Sequence, residues 1–206
     1  MSYTGNVSPG SPPDTRELAA LTITKVSVGP MDNNAYLLRC TATGEQLLID
    51  AANETDRLLS LIGDSGLSTV VTTHRHRDHW MALSMWCQPP ARPPSRTVAE
   101  GETVPVGDCA LEVIHLIGHT PGSIALLYHD PSPGGIPHLF TGDSLFPGGV
   151  GNTSGDAARF TSLLDDVSAK LFDRLPDETW FYPGHGKDST LGAERGSLPE
   201  WRARGW

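Results

Sequence analysis

The chain has 206 residues, of which 38% are hydrophobic and 19% charged, and these values favour one soluble globular domain. Its 22 glycines and 17 prolines argue against a coiled coil or a plain helix bundle. No apolar stretch approaches the roughly 18 residues of a membrane span, and a net charge of −9 would repel a nucleic-acid backbone. We therefore expect a cytoplasmic protein that has neither a membrane nor nucleic acid as its partner.

The cysteines and the N-terminal residues carry no sign of a disulfide scaffold or of targeting. The chain has three cysteines, Cys40, Cys87 and Cys109. Their odd number and the absence of a Cys-x-x-Cys pair predict reduced thiols. Residues 1–15 have no basic patch and no apolar run, which predicts a disordered lead-in rather than a signal peptide. We expect residues 1–20 to be flexible and residues 21–206 to form a single domain.

The first half of the chain predicts strands followed by a packing helix. Apolar and polar residues alternate over Leu21–Val28, as they do in a half-buried strand. The strands predicted here are Leu21–Val28 and residues 35–40, 46–50 and 68–73. Asn53 is the expected cap of a helix over residues 56–62. A short apolar helix follows, in which Trp80 and Trp86 are expected in the core, with a substrate-pocket wall as the alternative.

The second half repeats this order of events. The strands predicted here are residues 110–117, 123–128, 138–141 and 179–182. Apolar residues at helical spacing from Phe160 to Phe172 predict a long helix, which Asp156 caps and which Pro176 stops. Trp201 and Trp206 near the end of the chain would dock on the domain or meet a partner subunit. Two sheets covered by outer helices are the simplest architecture for this pattern.

A dense group of potential metal ligands follows the buried strand 68–73. His74, His76, Asp78 and His79 fall within six residues. In an extended loop His74 and His76 point to the same side, so both imidazoles can converge on one metal. Asp78 and His79 lie where the chain turns and can serve a second ion. The competing interpretation is a polar surface loop with incidental histidines.

Three further ligand-type residues lie in glycine-bearing loops that follow predicted strands. They are His119 in Gly118-His-Thr-Pro-Gly122, Asp143 in Thr141-Gly-Asp-Ser144 and His185 in Tyr182-Pro-Gly-His-Gly186. A glycine lets a loop bring its neighbour's side chain close to a metal without a backbone clash. The sequence therefore predicts that several strands deliver their ligands to one edge of the sheets.

Together these residues resemble the motifs of the metallo-β-lactamase superfamily. The resemblance runs from Asp50, at the end of Leu47-Leu-Ile-Asp, to His185. It implies an α/β (α+β) fold, a four-layer αββα sandwich of two mixed sheets with the helices outside. It also implies one metal on His74, His76 and His119, a second on Asp78, His79 and His185, and Asp143 as the bridge. Asp50 would support the histidine loop without binding metal.

Within the superfamily, the loops around His119, Asp143 and His185 look most like those of glyoxalase II, a hydrolase of small-thiol acyl-thioesters. Two divalent ions, with zinc expected and iron or manganese as alternatives, would supply a bridging hydroxide as the nucleophile. Asp78 is the expected catalytic residue, because it binds metal and orients the hydroxide. Glyoxalase II usually grips glutathione with a helical C-terminal domain and an arginine where Asn152 stands here. We therefore expect a small-molecule thioester substrate without selection for glutathione.

Three other activities would use the same residues. A single iron on His74, His119 and Asp143 would resemble a persulfide dioxygenase, which metal analysis separates from a hydrolase. A lactonase would use both metals on an ester, and an RNase Z-like nuclease would use them on phosphodiesters, although the charge of −9 argues against the nuclease. A non-catalytic metal-binding or scaffold protein is the remaining class, and the complete ligand set argues against it.

Overall fold

Two β-sheets face each other in the computed structural model, which describes residues 2–83 and 96–205. The first sheet has five strands, in the spatial order β1 (Asp14–Glu17), β2 (Leu21–Val28), β3 (Asn33–Cys40), β4 (Gln46–Ile49) and β5 (Thr69–Val71). Neighbouring strands in this sheet are antiparallel, except that β4 and β5 are parallel. The expected meander and the buried strand after it are therefore confirmed.

The second sheet has six strands and is also mixed. In chain order, its strands and a hairpin beside them are β6 (Thr103–Val106), β7 (Cys109–His115), β8 (Ile124–His129), β9 (Pro137–Gly142), the hairpin β10 (Leu145–Phe146) and β11 (Gly149–Val150), β12 (Trp180–Pro183) and β13 (Ser189–Thr190). The spatial order in the sheet is β13-β12-β9-β8-β7-β6, and within residues 2–83 and 96–205 β9 and β12 are its one parallel pair. The edge strand β6 was not expected from the sequence.

Helices lie against the outer faces of the sheets. They are α1 (Thr55–Ile62), α2 (Ala157–Val167), α3 (Leu191–Arg195) and α4 (Leu198–Arg204), with 3₁₀ turns at Gly63–Ser65 and Arg77–His79 and a π-helical turn at Ser168–Phe172. No helix in the described parts of the chain has the length and apolar character needed to cross a membrane.

Alternation along the strands divides the apolar side chains among three cores. On β3, Leu38 packs between the two sheets, whereas its neighbour Leu37 packs on the outer side, in the same cluster as Leu58 of α1. On β8, Leu126 packs between the sheets and Leu127 lies in the outer cluster under α2. Successive side chains on a strand point to opposite faces, so each sheet is apolar on both sides. The result is the four-layer αββα sandwich, which confirms the expected fold.

The two long helices begin differently from one another. Asp156 caps α2 as predicted, since its side chain accepts hydrogen bonds from the backbone N–H groups of Ala158 and Arg159. The predicted cap of α1 is wrong: Glu54 holds that position, with a left-handed φ of 49° and no side-chain cap. The Asn53 side chain instead accepts a hydrogen bond from the N–H of Glu54 at 2.8 Å.

The N-terminal residues differ from the expected disordered lead-in. Asp14–Glu17 forms edge strand β1 against β2, and the Arg16 guanidinium stacks 4.0 Å from the centroid of the Trp180 ring. Tyr3 packs edge-to-face on the same ring. Because these partners lie far away in sequence, the polar local composition gave no sign of the contacts.

The tryptophans also divide into two kinds of environment. Trp201 of α4 is buried and contacts Phe172, so this part of the tail docks on its own domain. Trp80 is 36% exposed, which makes the expected core position wrong, and its indole N–H donates to the carbonyl of Arg75. The predictions for Trp86, Cys87 and Trp206 lie outside the described residues.

Candidate metal centre

Five segments that follow strands meet at one edge of the sandwich. They follow β4, β5, β7, β9 and β12 and carry the acidic and histidine residues singled out from the sequence. All seven predicted ligands come together there, namely His74, His76, Asp78, His79, His119, Asp143 and His185. The cluster therefore lies where the strand order and the glycine-bearing loops predicted it.

The first group of ligand atoms consists of three imidazoles, those of His74, His76 and His119. Their nitrogens lie within 4.8 Å of one another. The closest pair is His74 Nε2 and His76 Nδ1, at 3.1 Å. His74 and His119 are buried, whereas His76 is exposed at the mouth of the cluster. Three converging imidazoles are a ligand set that suits zinc, iron or another first-row metal.

The second group combines one carboxylate with two imidazoles. His79 Nε2 lies 3.3 Å from His185 Nε2. Asp78 Oδ2 lies 3.5 Å from His79 Nε2 and 3.6 Å from His185 Nε2. The 3₁₀ turn Arg77–His79 places Asp78 and His79 on the side of this group, as expected from the change in chain direction.

Asp143 lies between the two groups and reaches both with its two oxygens. Asp143 Oδ1 is 3.5 Å from His79 Nε2, and Oδ2 is 3.5 Å from His185 Nε2. Oδ2 is also 3.7 Å from His119 Nε2 and 4.0 Å from His74 Nε2. One carboxylate placed in this way can bind two cations at once.

Acceptors behind the imidazoles fix which nitrogen faces the cluster. His119 Nδ1 donates to the Asn152 carbonyl at 2.8 Å, and His185 Nδ1 donates to the Met31 carbonyl at 2.9 Å. A carbonyl can only accept, so Nδ1 carries a hydrogen in both rings and Nε2 is the nitrogen available to a metal. Metal-binding histidines in proteins are oriented in this way.

Two buried polar atoms are directed into the cluster without a partner. His119 Nε2 and Asp143 Oδ1 are two of the six buried side-chain atoms that make no hydrogen bond among the described residues, and both belong to the cluster. Buried polar atoms are normally satisfied, so an orphaned pair in a group of ligands points to a missing cation. The close packing also requires glycine at position 184, where a Cβ would lie 2.1 Å from Asp143 Oδ1. The residues therefore fit divalent metal ions.

The protonation states of most of these groups suit metal binding. Burial lowers the pKa of His74 to about 3 and also lowers the pKa of His119, which keeps both rings neutral. Burial alone would raise the pKa of Asp143, but the imidazoles of His185 and His79, each 3.5 Å from one of its oxygens, hold that pKa far below its usual range. Neutral imidazoles and an ionised carboxylate are the forms that bind metals.

His79 and His185 are the exceptions in the metal-free protein, because the Asp143 carboxylate outweighs burial and raises the pKa of both rings. Burial would lower the pKa of His79, but the nearby carboxylates of Asp143 and Asp50 raise that pKa to about 10. A proton on the His79 ring, whose Nε2 lies 3.5 Å from Asp143 Oδ1, must therefore leave before a cation can bind there.

Asn33 is a site residue that the sequence analysis missed. Its Nδ2 donates to Asp78 Oδ2 at 2.9 Å and lies 3.5 Å from His79 Nε2 and 3.4 Å from His185 Nε2. Burial would raise the pKa of Asp78, but this hydrogen bond lowers it. The sequence showed only a polar turn here, and no spacing linked it to the histidines.

The histidines His115, His129 and His138 are outside the cluster. His138 is buried between the sheets, where Nδ1 lies 2.9 Å from the Tyr182 hydroxyl. The backbone of His115 binds the side chains of Glu100 and Lys170.

Known proteins share both the fold and part of the sequence. No family model matches the chain. A hydroxyacylglutathione hydrolase of Fuscovulum blasticum is 34% identical over 170 residues, which cover 75% of this chain and 62% of the relative. The chain thus spans a little under two thirds of that relative's length.

Solved structures with the same fold cover most of the chain. The B3 metallo-β-lactamase BLEG-1 superposes with a TM-score of 0.72 at 24% identity, over 86% of this chain and 98% of its own. ETHE1 from Myxococcus xanthus has a TM-score of 0.72 at 27% identity, and the match covers 88% of this chain and 84% of ETHE1. TTHA1623 in a di-iron-bound form has a TM-score of 0.64 at 32% identity, and the match covers 83% of this chain and 96% of TTHA1623.

The fold, the order of the ligand loops and these similarities agree with one another. The chain belongs to the metallo-β-lactamase superfamily, among its glyoxalase II-like members.

Proposed function

We propose that this protein is a dinuclear metallo-hydrolase that cleaves acyl-thioesters of a small thiol. The observation that carries the proposal is the position of Asp143, whose oxygens lie 3.5 to 4.0 Å from histidines of both ligand groups. A site for a single ion would not need a carboxylate that reaches both groups. The hydroxyacylglutathione hydrolase relative supports a thioester as the substrate class.

Bound divalent cations supply a nucleophilic water that is deprotonated near neutral pH and an electrophilic centre for the carbonyl oxygen. The imidazoles of the two groups hold the cations and leave the exposed side of the cluster to the substrate. Asp78 is partly exposed at that side and is kept ionised by Asn33, so its carboxylate can accept a hydrogen bond and orient the attacking water. The thiolate then leaves readily, because thiols are much stronger acids than alcohols.

Zinc is the metal that we propose, with iron and manganese as alternatives. Histidine and carboxylate ligands are compatible with all three. The similarity to a di-iron-bound protein is the reason to test iron alongside zinc. We propose a small-molecule thioester as the only partner that the reaction needs.

A persulfide dioxygenase is the second candidate. His74, His119 and Asp143 alone would hold one iron, since Asp143 Oδ2 lies 4.0 and 3.7 Å from the two imidazoles. The similarity to ETHE1 is compatible with this candidate. A lactonase that uses both ions on an ester is the third.

A substrate panel with defined metals separates these activities. The protein is loaded with zinc or with iron and assayed on acyl-thioesters, on lactones and for oxygen uptake with a persulfide. We expect thioester hydrolysis with the largest kcat/KM. Oxygen uptake by a one-iron form with no thioester hydrolysis would instead establish the dioxygenase.

A further inference from the structure

A fully buried ammonium lies behind the loop that carries His185. Lys25 on β2 has 0% exposure, and its Nζ donates to the carbonyls of Gly5 at 2.8 Å and Gly186 at 2.7 Å. Its third hydrogen bond goes to Asp188 Oδ1 at 2.6 Å. Every hydrogen of the ammonium is therefore used, and Gly186 directly follows His185.

The carboxylate that pairs with Lys25 is equally well satisfied. Asp188 Oδ2 accepts hydrogen bonds from the Tyr3 hydroxyl at 2.6 Å and from the Trp180 indole at 3.0 Å. Burying an ion pair costs much of what the attraction returns, so such a pair is weak evidence for a role in stability alone. A role in fixing one geometry is the alternative.

Side chains of the first sheet hold the backbone on both sides of His185. Asn34 Nδ2 donates to the Pro183 carbonyl at 2.9 Å and to the Gly186 carbonyl at 3.0 Å. The Gly186 carbonyl thus receives two donors, one of them the Lys25 ammonium. These contacts set the direction of the His185 ring, whose Nδ1 binds the Met31 carbonyl and whose Nε2 faces Asp143.

We propose that Lys25 is a positioning residue that fixes the His185 loop, so that His185 Nε2 faces the second group of ligands. This inference rests on the proposed function in one respect, namely that His185 binds a cation. Lys25 touches neither substrate nor metal. It acts through the Gly186 carbonyl and Asp188, and it explains why the N-terminal residues Tyr3 and Gly5 pack against this loop.

Three variants separate positioning from stability. Lys25→Met leaves Asp188 buried without its partner, and we expect a clear loss of stability. Lys25→Met combined with Asp188→Asn removes both charges, so stability should largely return. The Gly186 carbonyl still lacks its ammonium donor in this double variant. Val106→Ala is the control for destabilisation alone. Val106 lies in the core between the sheets, at the end of β6 that pairs with the start of β7.

Two measurements are made on each variant. The first is zinc affinity by competition with a chromophoric chelator, which we expect to fall about 10- to 100-fold at the weaker site in the double variant, as is typical when an outer support of a metal ligand is lost. The second is the imidazole N–H signal of His185 by NMR in metal-free protein. The hydrogen bond to Met31 should protect this signal in the wild type and in Val106→Ala but not in the double variant.

The proposal is overturned if the double variant keeps both the zinc affinity and the His185 signal of the wild type. It is also overturned if Val106→Ala loses affinity to the same extent, because instability would then explain the effect. A wild type that binds a single zinc would contradict the proposed function, whereas the His185 signal would still test the role of Lys25.

Discussion

His79 Nδ1 lies 2.9 Å from Asp50 Oδ2, and this contact joins the ring of a proposed metal ligand to a carboxylate at the end of β4. The same carboxylate accepts hydrogen bonds from the Thr73 backbone N–H and the Thr73 hydroxyl, both at 2.8 Å. Asp50 adopts a left-handed φ of 58°, which a residue other than glycine rarely does without a reason. Asp50 therefore orients the start and the end of the histidine loop without being a ligand itself.

Asp50→Asn keeps the shape of this side chain and removes its charge. We expect metal affinity to fall about 10- to 100-fold, because His79 loses the anion that fixes its ring and raises its basicity. Chelator competition with zinc measures the change. Asp64→Asn, on an exposed 3₁₀ turn away from the cluster, should bind zinc like the wild type. Equal zinc affinity in both variants would show that Asp50 does not support the metal site.

Asp78→Ala should lower kcat on a thioester far more than it lowers stability. Loss of a group that orients the nucleophile commonly costs on the order of 10²- to 10³-fold in rate. Asn33→Ala leaves the carboxylate in place but removes its hydrogen bond, so its kcat should lie between those of Asp78→Ala and the wild type. Steady-state kinetics with thermal unfolding of the same samples measure both quantities. Turnover by Asp78→Ala within a few-fold of the wild type would show that Asp78 has no catalytic role.

Sequence patterns predicted the members of the cluster better than the residues that hold those members in place. The ligands follow strands that alternate with period two, so their common edge follows from the order of strands and loops. Asn33, Lys25 and Asp188 act through contacts with residues far away in sequence. Their local surroundings are a turn, a strand and a loop with no recurring spacing, so pattern analysis could not find them.

Strands β1 and β13 escaped the sequence analysis because one depends on distant partners and the other is very short. Strand β1 and the contacts of Tyr3 depend on β2 and Trp180, and strand β13 is only two residues long. The long helix predicted from Phe160 to Phe172 ends as an α-helix at Val167 and continues as a π-helical turn. Apolar spacing alone cannot distinguish these two kinds of turn, because both keep the same side chains on the sheet.

His138 should make the protein sensitive to acid. Burial, together with Arg16, lowers the pKa of His138 from 6.5 to about 4, so between these values the unfolded chain binds a proton that the folded chain does not. The unfolded state binds more protons in this window, so stability is intact above pH 6.5 and falls as the pH drops towards 4. The full contribution of this one group is about 3 kcal/mol.

His138→Asn tests this contribution. Urea unfolding of wild type and variant from pH 7 to pH 4 gives the difference in the free energy of unfolding at each pH. Loss of metal at low pH affects both proteins and cancels in the difference. The wild type should lose more stability than the variant as the pH falls. Parallel curves would mean that His138 titrates normally in the folded protein.

The thiol part of the substrate should matter little. Asn152 stands where the resemblance to glyoxalase II places an arginine, and its side chain accepts a hydrogen bond from the Ser154 N–H at 2.7 Å. A cationic contact for a carboxylate of the thiol is thus replaced by a contact within the loop. With one acyl group on several thiols, kcat/KM should vary modestly, since a lost contact costs only about 1–3 kcal/mol. A preference for glutathione by several orders of magnitude would reveal a dedicated glutathione site.

Titration of the metal-free protein with zinc, followed by elemental analysis and thioester hydrolysis of each sample, tests the dinuclear site most directly. We predict that hydrolysis rises until two zinc ions are bound per chain and then stays constant, because Asp143 reaches both ligand groups. Full activity at a single ion, with no second ion bound at saturation, would contradict this prediction.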